Sequence, residues 1–152
     1  MCYILFLGSD VPLPTSAWRK EAPAFFLSDT DPGSKVKRHF STSHVYYAGS
    51  HEGCGCGFFY DQEDDPEEYE IRKASVRDLV SAIQLALRSA PKVELLVTWT
   101  GDEKKPPKRR LNMLPHELLG TKFPLDENDF VTIMESDEQT PRGDSPTTSP
   151  QE

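Results

Sequence analysis

The stretch 75-SVRDLVSAIQLALRSAPKVELLVTW-99 joins a helical pattern to a strand pattern and decides the fold class. Its first half predicts a helix over 76–88 with Ser75 as N-cap, because apolar side chains recur at the spacing of one helix face. Pro91 ends this pattern. In Val93–Trp99 every second side chain is apolar, as in a strand with one buried face. A helix followed at once by a strand predicts a layered α+β domain.

Short apolar, aromatic or β-branched runs predict the remaining strands. These runs cover 3–7, 24–27, 45–48, 54–60 and 130–134. Two briefer patterns, at 34–39 and 114–119, predict short helices. The sequence therefore predicts an α+β fold with a mixed or antiparallel sheet of about five or six strands, and with the main helix and a short helix packed on it.

Two segments of the sequence are strongly polar, one inside the predicted domain and one after it. The run 62–70 is dominated by carboxylates and includes a proline, which predicts a solvated acidic linker. From residue 136 onward Asp, Glu, Pro, Ser and Thr dominate, and such a segment cannot bury enough apolar surface to offset its ordering entropy. We therefore predict a single domain over 1–135 and a disordered tail over 136–152.

Charge and cysteine content narrow the class of protein. A net charge of −8 disfavours general binding to nucleic acid, and only the basic segment 104–110 could contact a phosphate, the alternative being a solvated loop. The longest apolar run is far too short to cross a bilayer and does not resemble a signal peptide. Three cysteines, an odd number, argue against a secreted disulfide framework. These features predict a cytoplasmic protein with no membrane partner.

The segment 50-SHEGCGCGF-58 is the most unusual in the chain. We predict a hairpin in which 45–48 and 54–60 pair across a loop at 50–53. Alternation along a strand would then place Cys54 and Cys56 side by side on one face. On the other face, Gly55 and Gly57 would leave the main chain bare and open to another backbone, a ligand or an anion.

Three functional hypotheses and one structural interpretation follow from this segment. In the first hypothesis a protein or small ligand binds a surface made of Gly53, Gly55, Gly57, His51 and Glu52. In the structural interpretation the cysteines are small buried apolar residues and the glycines allow close packing. The leading prediction is a non-enzymatic binding or interaction module that uses this hairpin.

The other two hypotheses give the thiols a chemical role. In one, Cys54, Cys56 and His51 bind a metal ion, with zinc as the ion considered and Cys2 as the remaining candidate ligand. In the other, Cys54 or Cys56 is the nucleophile of a small enzyme and His51 lowers its pKa. No other catalytic motif in the sequence supports an enzyme.

The run over 44–58, with its GSHEGCGCGF letters, resembles a segment of small uncharacterised bacterial proteins. The opening FLGSDVPLP at 6–14 is similar to the N-terminal part of the same proteins. The resemblance covers roughly the first 60 residues and implies no activity, ligand or catalytic residue.

Overall fold

The structure is a computed structural model, and it describes residues 2–135. In chain order the strands are β1 (Tyr3–Ser9), β2 (Phe26–Asp29), β3 (His44–Gly49), β4 (Val93–Trp99), β5 (Arg109–Met113) and β6 (Asp129–Ile133). There is one long helix, α1 (Pro66–Leu87). Three 3-10 helices cover Lys35–His39, Gly55–Phe58 and Pro115–Leu118.

The six strands form one mixed sheet in the order β2-β3-β1-β4-β6-β5. All neighbours are antiparallel except β5 and β6, which run parallel. The predicted α+β class, the strand number and the single main helix are therefore confirmed. β1 lies inside the sheet, where β3 pairs with one of its edges and β4 with the other.

Helix α1 covers one face of the sheet and forms the larger core with it. The apolar stripe that predicted the helix is the buried face, and it includes Val76, Leu79 and Ile83. From the sheet, Leu5, Leu7, Leu95, Val97 and Val131 pack in the same cluster. A smaller cluster lies on the opposite face, where the segment around Val36 and Phe40 packs against the sheet.

The long helix begins ten residues earlier than predicted, at Pro66 rather than Val76. Asp65 is the N-cap, and its carboxylate accepts a hydrogen bond from the backbone N–H of Glu67 at 3.2 Å. Proline is suited to the first helical turn, and negative side chains are favoured there by the helix dipole. The prediction of an acidic linker over 62–70 is therefore wrong for its second half, because these carboxylates begin a helix.

The predicted strand over 54–60 is also wrong, since Gly55–Phe58 forms a 3-10 helix. Both edges of β3 are already paired, one with β1 and the other with β2. No edge of β3 is left for a returning strand, so the predicted hairpin does not exist. The chain after Cys54 instead crosses the sheet on the side of α1.

Smaller differences concern the ends of elements. The basic segment 104–110, for which a solvated loop was one interpretation, ends in β5, which begins at Arg109. The strand predicted at 24–27 lies at Phe26–Asp29. The two predicted short helices are single 3-10 turns. Among residues 2–135 no helix is long and apolar enough to cross a membrane. The predicted tail over 136–152 lies outside the described residues.

The corrected helix start is testable through its cap. Replacing an N-cap aspartate with alanine removes the acceptor of an otherwise unpaired helical N–H, so Asp65→Ala should lower the free energy of unfolding by about 1 kcal/mol. Urea denaturation of the full chain measures this loss. Glu63→Ala, an exposed carboxylate just before the helix, is the control and should be nearly neutral. Equal effects of the two substitutions would contradict a cap at Asp65.

Candidate functional site

Three cysteine side chains meet at one end of the sheet. The Sγ atoms of Cys2, Cys54 and Cys56 all lie within 4.8 Å of one another. Cys2 directly precedes β1, Cys54 is the N-cap of the 3-10 helix Gly55–Phe58, and Cys56 lies within that helix. Three thiols from two distant parts of the sequence thus form a single cluster, which we call the thiol cluster.

The 3-10 helix reaches β1 because Gly55 has no side chain. A Cβ atom built on Gly55 would lie 2.9 Å from the carbonyl oxygen of Tyr3 and 3.2 Å from the backbone nitrogen of Leu5. These are backbone atoms of a central strand, so they cannot move aside cheaply. Gly55 therefore sets the distance between the chain carrying Cys54 and Cys56 and the strand that follows Cys2.

Ser50 organises the loop that leads into the thiol cluster. It is fully buried, and its hydroxyl donates to the carbonyl oxygen of Cys54 at 2.6 Å while accepting from the N–H of Glu52 at 3.1 Å. The backbone N–H of Ser50 also donates to the Cys54 carbonyl. Gly53 closes the turn with a φ of 87°, a conformation that glycine adopts without strain. These bonds fix the direction in which the chain enters the cluster.

Two aromatic anchors hold the other end of the segment. Phe58 and Tyr60 are almost completely buried, and both belong to the core under α1. The Tyr60 hydroxyl donates to the carbonyl oxygen of Leu118 at 2.7 Å and accepts from the N–H of Gly120 at 2.8 Å. The 3-10 helix is therefore attached to the core on its C-terminal side without help from the cysteines.

The three cysteines differ in exposure. Cys2 is exposed, whereas Cys54 and Cys56 are partly buried. Burial raises the pKa of the Cys54 thiol to about 12, and the neighbouring sulfurs of Cys56 and Cys2 add to the increase. Cys54 is therefore protonated at neutral pH. The backbone N–H of Tyr3 points at Cys56 Sγ from 3.3 Å and offers that sulfur a hydrogen-bond donor.

The structure places His51 beside the helix rather than in the thiol cluster. Its Nδ1 atom lies 2.8 Å from the hydroxyl of Ser75, and its backbone N–H donates to the same oxygen at 3.1 Å. On the other side of the ring, Nε2 is 3.9 Å from a carboxylate oxygen of Glu52. Ser75, predicted as an N-cap, is instead a buried residue inside α1 that holds this loop.

The glycines of the predicted ligand surface are mostly covered. Gly55 and Gly57 are buried, and a Cβ atom on Gly57 would lie 2.3 Å from the Ser50 hydroxyl. Gly53 lies against the indole of Trp18, whose Nε1 donates to the carbonyl oxygen of His51 at 3.0 Å. The main chain that the hairpin would have left bare is therefore packed against protein atoms. Of that predicted surface, Glu52 is exposed.

The environment of Cys54 is the opposite of what a nucleophile requires. A catalytic cysteine needs a lowered pKa from a nearby positive charge or a helix N-terminus of useful length. Here burial raises the pKa of Cys54, and the imidazole of His51 contacts Ser75 and Glu52 instead. The raised pKa therefore argues against Cys54 as the nucleophile of an enzyme.

The basic segment 104–110 is partly neutralised by its own surroundings. Arg109 forms a bidentate salt bridge with the buried carboxylate of Asp129, through Nε to Oδ1 at 2.9 Å and Nη2 to Oδ2 at 2.7 Å. Lys105 lies 3.3 Å from Asp102, and the guanidinium of Arg110 sits over the ring of Phe130. These contacts favour the interpretation of the segment as part of the sheet edge and its loop.

From the sequence, Cys2 is only a remaining candidate ligand, and no signal in the sequence indicates more. Cys2 and Cys54 are separated by three strands and several loops, and their proximity depends on where the 3-10 helix Gly55–Phe58 packs on β1. The number of residues between two cysteines does not indicate where a later helix packs on an earlier strand. The pairing of Cys54 with Cys56, by contrast, follows from their separation by a single residue.

The role of Gly55 in seating the 3-10 helix gives a direct test. Gly55→Ala should lower the free energy of unfolding by about 1–3 kcal/mol, the usual cost of overpacking, because the added methyl group meets backbone atoms of β1. Gly33→Ala is the matched control, since a Cβ atom there meets nothing within 4 Å. Chemical denaturation of both variants measures the difference. A neutral Gly55→Ala would show that the helix does not press on β1.

Thiol reactivity tests the protonation state of the cluster. In the metal-free protein, Cys2 should be alkylated first by iodoacetamide and Cys54 last, as followed by peptide mass spectrometry. Because the pKa of Cys54 is raised to about 12, its rate should still rise about tenfold per pH unit between about pH 8 and 10. A Cys54 that reacts faster than Cys2 at neutral pH would contradict this and would favour the enzyme hypothesis.

Comparison with protein-family models, with curated proteins and with solved structures finds no match to this chain. The resemblance at 44–58 therefore stays a prediction. The function has to be inferred from the geometry of the described residues.

Proposed function

We propose that this protein binds one soft metal ion through the thiolates of Cys2, Cys54 and Cys56. The observation that carries the proposal is the approach of all three sulfur atoms to within 4.8 Å of one another. This is the metal-binding hypothesis rather than the leading prediction of a hairpin surface for a protein or small ligand. Cys54 and Cys56 stay as ligands, and Cys2 takes the place first given to His51.

The spacing of the sulfurs is close to that of a metal–thiolate site. With metal–sulfur bonds of about 2.3 Å, two sulfurs on one zinc ion are roughly 3.8 Å apart, and a planar three-sulfur site needs about 4.0 Å. An approach within 4.8 Å therefore requires only small side-chain rotations to close around an ion. The 3-10 helix and the start of β1 supply the ligands from well-ordered backbone, which limits the entropy lost on binding.

The ligand type selects the class of ion. Thiolate is a soft ligand, typical for Cu(I), Zn(II) and related ions, whereas Mg(II) and Ca(II) prefer oxygen. Metal binding must displace the proton of Cys54, whose pKa is raised by burial. Only an ion that forms strong bonds to sulfur compensates for the free-energy cost of removing this proton. We therefore exclude hard ions such as Mg(II) and Ca(II) from this site.

Cadmium titration of the full chain tests the proposal. Cd(II) is a redox-inert, thiophilic probe, and its binding to thiolates produces a charge-transfer absorbance in the ultraviolet. We expect one Cd(II) per chain with this absorbance. Each of Cys2→Ser, Cys54→Ser and Cys56→Ser should weaken binding by at least about tenfold, the loss seen even for outer partners of metal ligands.

His51→Asn is the matched control for these variants. Asparagine can still contact the Ser75 hydroxyl but has no imidazole, so Cd(II) affinity should stay within about twofold of wild type if His51 is no ligand. Circular dichroism of each metal-free variant checks that it is folded. A folded protein that shows no thiolate absorbance with Cd(II) would rule out the proposed function.

A further inference from the structure

We propose that the ion of the thiol cluster is Cu(I), bound in three-coordinate geometry by Cys2, Cys54 and Cys56. This inference rests on the proposed function and specifies its ion. It depends on three features of the described residues: the number of ligands, the chemistry of the groups around them, and the exposure of one side of the cluster.

The cluster offers three ligands and no fourth. Among residues 2–135, no imidazole and no carboxylate joins the three sulfurs within 4.8 Å. A structural zinc site almost always has four protein ligands in a tetrahedron, and zinc held by three protein ligands takes a water molecule as its fourth, so three sulfurs alone do not complete the zinc shell. Cu(I) is a soft ion for which two or three thiolates complete the coordination shell. The ligand count therefore favours Cu(I).

The groups surrounding the cluster do not supply the missing zinc ligand. The imidazole of His51 contacts Ser75 through Nδ1 and faces Glu52 through Nε2. Tyr3, which directly follows the ligand Cys2, is stacked between Phe59 and Trp99, with ring centroids 4.3 and 4.1 Å apart.

The exposure of Cys2 leaves one side of the cluster open to other thiols. Structural metal sites are closed, whereas here Cys2 is an exposed residue and all three ligands of the cluster are only partly buried. The 3-10 helix is already held by Phe58 and Tyr60 in the core. The ion is therefore not required to hold the fold together. An ion at an open three-thiol site can be received from, and passed to, another thiol by stepwise ligand exchange.

The binding reaction balances without an electron transfer. Cu(I) keeps its oxidation state, each thiol loses its S–H proton to the buffer, and three copper–sulfur bonds form. When a low-molecular-weight thiol delivers the ion, the copper–sulfur bond of the donor breaks and the donor sulfur takes up a proton.

The experiment compares copper and zinc in the full chain under anaerobic conditions. Protein is incubated with Cu(I) in millimolar glutathione and desalted, and copper and protein are then quantified. A second sample is equilibrated with zinc buffered at nanomolar free concentration. We expect one copper and almost no zinc per chain, and X-ray absorption at the copper edge should give three sulfur neighbours. Cys2→Ser should reduce copper retention at least about tenfold, and His51→Asn should not.

The outcomes separate this inference from the proposed function. Stoichiometric zinc at nanomolar free concentration would overturn the Cu(I) assignment and leave the thiol cluster as a metal site. Copper bound by two sulfurs or by nitrogen would overturn the three-sulfur geometry. Failure to retain copper, together with the absence of thiolate absorbance with Cd(II), would overturn both. Copper retention that is unchanged in Cys2→Ser would overturn the three-ligand geometry.

Discussion

The close approach of Gly55 to the backbone of Tyr3 is the contact on which the thiol cluster depends. It brings the chain that carries Cys54 and Cys56 against the strand that begins just after Cys2. Any larger residue would place a carbon atom 2.9 Å from a carbonyl oxygen that belongs to a central strand. Because β1 is hydrogen-bonded along both edges, its backbone cannot move to make room. The 3-10 helix would instead move away from β1. The sulfurs would then separate.

The best-predicted parts of the fold are those whose pattern is local. The strand Val93–Trp99 was located to the residue, and the buried stripe of α1 is the one that its spacing indicates. Both signals arise within a few residues and reflect a single buried face. The predicted helix start is too late for a local reason too. A run of carboxylates predicts a solvated segment, although after Asp65 and Pro66 the carboxylates are favourable in a first helical turn.

The candidate site was predicted by an argument that does not apply, yet two of its residues are the ones that meet. Strand alternation was the reason for placing Cys54 and Cys56 together, and this segment is not a strand. A 3-10 helix has three residues per turn and does not by itself bring side chains two residues apart together, so the proximity of the two sulfurs depends on Cys54 being the extended N-cap of the helix. The third thiol depends on the order β3-β1-β4 and on the crossing of β1 by the 3-10 helix. Topology of this kind is not encoded in local periodicity.

In the proposed site, the partial burial of the thiol cluster would restrict the kinds of ion that can bind. Burial raises the pKa of Cys54, so in the absence of metal this sulfur carries a proton and the cluster carries less negative charge. An ion that binds thiolate weakly gains too little to remove that proton and stays in solution. A soft ion gains three strong bonds to sulfur and replaces buried protons by its own positive charge. The low dielectric of the surroundings strengthens the attraction between that charge and the thiolates. Exposure of Cys2 keeps the exchange path open, so the same geometry combines selectivity with access.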